Sequence, residues 1–226
     1  MLLAIDTATR NASIALYDAQ GILAETTWQS RANHTVELMP QIVRLLELAQ
    51  VQKKDLQAIG VALGPGSFTG LRVGMSVAKG LAYGGGIPIL GVPTLDAMAR
   101  AHALQSFPIL AMLALGRSRF SLARYLPREG AVQRVSDYAL VNPDGLLEWV
   151  VDESTLFCGD LDRALAQKIS DKFGARAMMA SPAMNVRRAG FLAELAWARF
   201  QRGESDAVDS LVPMYMPHES VEGSRS

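Results

Sequence analysis

Two short segments carry residue types that chemistry can use. Asp6-Thr7-Ala8-Thr9 puts a carboxylate and two hydroxyls side by side. At the end of a strand such a group can hold a metal-bound phosphate, helped by the N–H groups of the turn. The same residues serve equally well to satisfy the turn's own amides. The second segment is Gly64-Pro65-Gly66-Ser67-Phe68-Thr69-Gly70-Leu71-Arg72. Its glycines permit a tight turn and close backbone approach, and a helix start behind it would favour anions. No Gly-Lys-Ser/Thr follows, so it is not a P-loop, and a purely structural connector is the competing reading. Asp6, Thr7 and Ser67 are the candidate residues for a phosphate site.

Other chemistry is poorly supplied. His34, His102 and His218 are far apart, with no His-x-x-x-His or His-Glu-x-x-His spacing, so no metal site is expected. His34 reads as a polar neighbour of a helix start and His102 as a surface or half-buried helical residue. Ser67 lacks the Gly-x-Ser-x-Gly elbow of a nucleophile, and no catalytic residue is expected. Five arginines and a single acid, Glu129, lie between Arg117 and Arg134. They could meet RNA phosphate, or simply alternate along exposed strand faces.

The elements that position these segments follow from periodicity. Residues 2–5, 12–17 and 22–29 read as three strands joined by tight turns, an antiparallel meander. Residues 35–50 read as a helix that is apolar on two faces, one with Val36, Met39, Val43 and Leu46, the other with Leu38, Ile42, Leu45 and Ala49. Pro40 is cheapest in a first turn, which predicts a start near Glu37. A strand at 58–63, a helix at 71–83 ended by Gly84-Gly85-Gly86, a strand at 87–92 and a helix from Thr94 to about Leu104 complete a β/α series. Gly70, Gly74, Ala78 and Ala82 recur every fourth residue and make a smooth stripe. A helix of the same chain or of another subunit could pack there. Strands at 109–115, 118–125, 132–140 and 155–158, with helices at 161–172 and 183–202, repeat the order of a meander followed by β/α elements. The organisation expected is two lobes, 1–106 and 107–217, and a polar tail, 218–226.

Bulk properties set the outer limits. The chain has 226 residues, one large domain or two small ones, of which 50% are hydrophobic and 19% charged, so a sizeable core is expected. Lys plus Arg and Asp plus Glu are each 22; a net charge of zero argues against binding nucleic acid through global charge. One cysteine, Cys158, excludes a disulfide framework. Asp6 ends the first apolar run at once, unlike a signal peptide, and no stretch approaches the ~20 apolar residues of a membrane span. The expected location is the cytoplasm, with no membrane association.

Ala4-Ile5-Asp6-Thr7-Ala8-Thr9, Ser13-Ile14-Ala15-Leu16, His34-Thr35, Gly64 to Gly74 and Gly91-Val92-Pro93-Thr94-Leu95 together resemble the TsaB (YeaZ) family of the tRNA threonylcarbamoyladenosine system. The matches cover residues 1 to about 104. The resemblance implies an α/β fold like actin, Hsp70 and the sugar kinases, a duplicated ribonuclease H-like architecture of two mixed-sheet lobes. It also implies a non-catalytic scaffold for TsaD, the related transferase that modifies adenosine beside the tRNA anticodon. The docking face would be the N-lobe helices, with Met39, Val43, Leu46, Gly70, Gly74 and Ala78 at the contact. A TsaE-like ATPase would join the complex, tRNA would be reached only through it, and the lone chain would form a homodimer. No cofactor is expected beyond weak ATP or ADP binding at a complex boundary.

The departures from the family sharpen this expectation. TsaD-like sequences carry Gly-Val-Asn-His-Leu-Glu-Gly-His where this chain has Gly91 to Met98, so the two metal-binding histidines fall on Thr94 and Met98. A hydroxyl and a thioether replace paired imidazoles poorly. In the second half, the usual Asp-Ala-Arg-x-x-Glu-Val-Tyr aligns with Ala114 to Ser121, placing Ala114, Gly116 and Arg119 at the Asp, Arg and Glu positions. Near the C-terminus the common Tyr-Leu-Arg is Tyr215-Met216-Pro217. The rival reading is a metal- or ATP-dependent enzyme acting alone, an M22-type glycopeptidase or a phosphotransferase.

Overall fold

The computed structural model describes residues 1–30, 33–116, 118–149 and 153–216. The chain begins with β1 (Leu2–Asp6), β2 (Asn11–Asp18) and β3 (Gly21–Gln29), then α1 (His34–Leu48), β4 (Ala58–Gly64), α2 (Phe68–Gly85), β5 (Ile89–Pro93) and α3 (Thr94–Arg100). It continues through β6 (Ile109–Ala114), β7 (Phe120–Arg128), β8 (Ala131–Arg134), β9 (Ala139–Val141), α4 (Pro143–Leu146), β10 (Thr155–Gly159), α5 (Arg163–Phe173) and β11 (Ala177–Met179) to α6 (Ala189–Gln201).

Two sheets result. The first has the order β3-β2-β1-β4-β5, the second β11-β10-β6-β7-β8, with β9 also on β7. In the first, β1–β2 and β2–β3 are antiparallel while β1–β4 and β4–β5 are parallel. In the second, β6–β7 and β7–β8 are antiparallel while β6–β10 and β10–β11 are parallel. Each sheet is therefore an antiparallel meander extended by parallel strands, and the expected duplication of element order holds. The strand expected over 132–140 is two strands, β8 and β9. Between them Ser136 Oγ accepts the Arg124 N–H at 2.9 Å, which takes a ladder donor out of the pairing.

The chain forms two compact units: Met1–Ala97 with Val186–Met214, and Met98–Asn185 with Tyr215 and Met216 among the described residues. A lobe boundary at 106/107 and a second lobe running on to 217 therefore do not describe the packing. The chain returns to the first sheet because α6 has a face of small and apolar residues that the sheet can cover. Leu192, Ala193 and Ala196 are fully buried and belong to one cluster with Leu2, Ala4, Ala58 and Leu90. At Gly60 of β4 a Cβ would lie 3.0 Å from the Ala196 Cβ, so the bare backbone lets α6 approach closely. The sheet also caps α6: Ala189 N–H donates to Ser13 Oγ at 2.9 Å and Gly190 N–H to Glu25 Oε1 at 2.7 Å, which satisfies donors that every helix start leaves free. The expected polar tail, 218–226, lies outside the described residues.

β1 is buried at all five positions, as a strand covered on both faces must be. Leu2 and Ala4 face the α6 cluster; Leu3 and Ile5 face a second cluster with Leu38, Ile42 and Leu45 of α1 and Met75 and Ala78 of α2. The helix α1 starts at His34, not near Glu37, so Pro40 lies inside it. Pro40 is on the exposed side, where water can donate to the Val36 carbonyl that the ring leaves without its helical partner. The second unit builds its core from Leu110, Met112, Leu122 and Phe157 under Leu165, Ile169 and Phe173 of α5. Behind α6, Arg199 makes a bidentate pair with Asp206 at 3.0 and 3.1 Å and donates to the Gly91 carbonyl at 2.8 Å. Burial works against the charge on Asp206, but Arg199 and the Gly91 N–H outweigh it and hold the carboxyl below its usual range.

Candidate functional site

The turn after β1 brings the two candidate segments together. Ser67 N–H donates to the Ala8 carbonyl at 2.6 Å, and Thr7 Oγ1 donates to the Gly70 carbonyl at 2.7 Å. Ser67 is the N-cap of α2, its hydroxyl accepting the Gly70 N–H at 3.3 Å, the role that serine fills well at a helix start. Asp6 is 2% exposed. Its Oδ1 accepts the Ala8 N–H at 2.8 Å, and its Oδ2 accepts Arg187 Nε at 3.0 Å. Each polar group of the expected phosphate site thus has a partner within the chain, and Asp6, Thr7 and Ser67 are shared between turn, helix cap and ion pair.

Arg187 is the residue that the linear sequence did not reveal. It is 7% exposed, and its Nη2 also donates to Thr9 Oγ1 at 2.6 Å and to the Asn11 carbonyl at 2.9 Å. Removing one member of such a buried pair costs about 3–5 kcal/mol, since the other is left buried without its partner. The only signal in the sequence is a pair of arginines just before the last helix, which any helix N-terminal segment can show.

The small-residue stripe of α2 also has a definite neighbour. Gly70 and Gly74 pack against Thr7, where an added Cβ would collide with the Thr7 carbonyl and hydroxyl respectively. Ala78 is fully buried in the α1–α2 side of the first core. These three residues, expected at a subunit contact, are sealed inside the first unit, because a sheet needs a helix with no side-chain bulk to reach it at the β1 turn. The other face of the helix pair is open. Val36, Met39 and Val43 are 59%, 40% and 47% exposed along one side of α1. Leu46 is only half exposed and packs on the core cluster. On α2, Phe68 and Tyr83 are exposed, Arg72 stacks over the Phe68 ring at 3.7 Å, and Val73 and Val77 are half-buried.

The remaining candidates are structural in surroundings. Thr94 and Met98 are both buried, and the Thr94 hydroxyl has no hydrogen-bond partner among the described residues, so it does not cap α3. His34 and His102 are buried rather than superficial, and burial pushes the His102 imidazole below its usual range. Among the described residues no three His, Cys, Asp or Glu side chains cluster as a metal site would require, and no helix is long and apolar enough to cross a membrane. In the arginine-rich stretch Arg117 lies outside the described residues. Arg124 pairs with Glu153, and Arg134 donates to the Ser136 carbonyl at 2.9 Å and lies over the Tyr138 ring at 4.3 Å, so local pairing accounts for both.

Two mixed sheets of the same strand order, each backed by helices, define the duplicated actin-like ATPase-type fold. A hexokinase of the ROK type from Thermus thermophilus superimposes with a TM-score of 0.52 at 12% identity, over 89% of this chain and 99% of that one. YeaZ from Pseudomonas aeruginosa superimposes with a TM-score of 0.78 at 24% identity, over 95% and 99%. The model of the family described as "TsaD: tRNA N6-adenosine threonylcarbamoyltransferase" matches residues 21–220. The tRNA threonylcarbamoyladenosine biosynthesis protein TsaB of Bacillus subtilis is 31% identical over 95% of this chain and 93% of its own. That of Escherichia coli is 39% identical over 99 residues, 44% of this chain and 42% of its own. The chain belongs to the TsaB/YeaZ family, and its place is in tRNA threonylcarbamoyladenosine biosynthesis.

Proposed function

We propose that this chain is a non-catalytic subunit that docks onto a TsaD-type threonylcarbamoyltransferase and holds it in its working conformation. The observation that carries this reading is the exposed apolar ridge of α1. Val36, Met39 and Val43 stand in water on a helix whose opposite face, Leu38, Ile42 and Leu45, already fills the core. A helix apolar on both sides is unstable in solution as a surface element and fits a second protein. The docking set is therefore Val36, Met39 and Val43 with the exposed face of α2, while Gly70, Gly74 and Ala78 hold α2 in place behind it. The side-chain chemistry supports a partner rather than an enzyme. Thr94 and Met98 supply no imidazole where TsaD-like sequences have two, and the Asp6 carboxylate is occupied by Arg187. In isolation the same ridge pairs with a second copy, as isologous patches do. A TsaE-like ATPase completes the assembly, tRNA is reached through it, and the setting is the cytoplasm.

The test is Val43→Asp, measured by calorimetric titration against the cognate TsaD-type subunit. Val43 is exposed, so folding stays intact, whereas a buried interface anchor lost to charge weakens association by about 1–3 kcal/mol, roughly 5- to 150-fold. Leu46→Asp is the poorer choice because Leu46 also packs on the core. An unchanged dissociation constant for Val43→Asp refutes the assignment of this ridge. Modification of tRNA by the lone chain refutes the non-catalytic role.

A further inference from the structure

The turn after β1 presents three oxygens to one cation. Asp6 Oδ2, Thr9 Oγ1 and the Asn11 carbonyl lie 3.0, 2.6 and 2.9 Å from nitrogens of the Arg187 guanidinium. All three belong to residues 6–11, while the cation arrives from 181 positions further along the chain. We propose that this turn is a guanidinium-binding cage filled by the chain's own Arg187, which acts as a tethered ligand and closes the end of β1 to external divalent ions and to metal-bound phosphate.

The donor set argues for that class of occupant. The cage holds a single carboxylate, and the second oxygen of that carboxylate is already taken by the Ala8 N–H at 2.8 Å. Calcium takes six to eight oxygens, and magnesium with a phosphate still relies on one or two protein carboxylates; here both oxygens of the one carboxylate are committed, to the Ala8 N–H and to Arg187 Nε. A guanidinium is planar, delocalised and weakly hydrated, and its N–H groups point in fixed directions. One carboxylate balances its charge, and with one hydroxyl and one carbonyl accepts the N–H groups of Nε and Nη2. The surroundings are also closed: Asp6 and Arg187 side chains are 3% and 6% exposed. On this reading the carboxylate that would hold a phosphate's metal at Asp6 is neutralised from within.

The experiment is chemical rescue. Arg187→Ala deletes the cation and leaves the cage, and methylguanidinium at millimolar concentration is the probe, with tetramethylammonium as the control for ionic strength. At ten times its dissociation constant a bound probe raises the folding constant about 11-fold by mass action. The expected result is a saturable rise in the melting temperature of Arg187→Ala with methylguanidinium, absent in the native chain and in the double variant Asp6→Asn/Arg187→Ala. If Arg187→Ala is unfolded alone, recovery of its circular dichroism on adding the probe is the equivalent positive result. No response of Arg187→Ala in either form overturns the cage. Binding of Mg2+-ADP by the native chain that Asp6→Asn abolishes overturns the closure.

Discussion

Gly74→Ala separates an inward-facing stripe from an outward-facing one. In an open helix position this change stabilises, since alanine is favoured over glycine by about 1 kcal/mol. At Gly74 the new Cβ meets the Thr7 hydroxyl, with Ile5 Cγ2 3.6 Å away. Thr7 is 2% exposed and its hydroxyl donates to the Gly70 carbonyl, so it cannot swing aside without leaving a buried polar group unpaired. Overpacking costs about 1–3 kcal/mol and an unpaired buried hydroxyl about 1–3 kcal/mol. Set against the propensity gain, the net loss is about 1–5 kcal/mol. Gly80 gives the control within the same helix, because nothing lies within 4 Å of a Cβ there. Gly80→Ala should stabilise by up to about 1 kcal/mol. The assay is urea denaturation followed by circular dichroism, reading the midpoint at constant slope. An unchanged or raised midpoint for Gly74→Ala, together with weaker binding to the partner subunit, would show that the stripe faces outward and that the packing argument is wrong.

Two further outcomes follow from buried titratable groups. Burial lowers the His102 pKa from an ordinary value of 6.5, so the unfolded chain takes up the proton first; stability is full above about pH 6.5 and declines as pH falls toward the lowered folded value. His102→Gln should flatten the melting temperature between about pH 7 and 5, and an identical slope in the variant would exclude His102 as the source. Cys158 is buried, and desolvation pushes its thiol up to about 12, so a maleimide should label the chain only as it unfolds; stoichiometric labelling of the folded chain contradicts this.

The parts legible in the sequence are those governed by neighbours along the chain. The three-strand meander, the α1 and α2 helices and the repeated element order follow from local periodicity, which depends only on nearby residues. The Gly-Pro-Gly-Ser-Phe-Thr-Gly-Leu-Arg run marks the family because so many glycine constraints rarely coincide. The two faces of α1 were also legible, Leu38, Ile42 and Leu45 against Val36, Met39 and Val43. Which of the two is buried was not, since both are apolar and only the position of the sheet distinguishes them.

Tertiary structure decided the rest. A stripe of small residues permits close approach but does not name the approaching surface; the turn after β1 takes that place, and Thr7 fills the space beside Gly70 and Gly74. Asp6 read as a ligand because a lone carboxylate at a strand end has no evident partner within its own segment. Its partner is Arg187, brought back when α6 folds onto the first sheet. Sequence patterns report which groups must be satisfied, because desolvation penalties belong to the residue type. Which atoms satisfy them is set by chain return over long separations, and that information exists only in three dimensions.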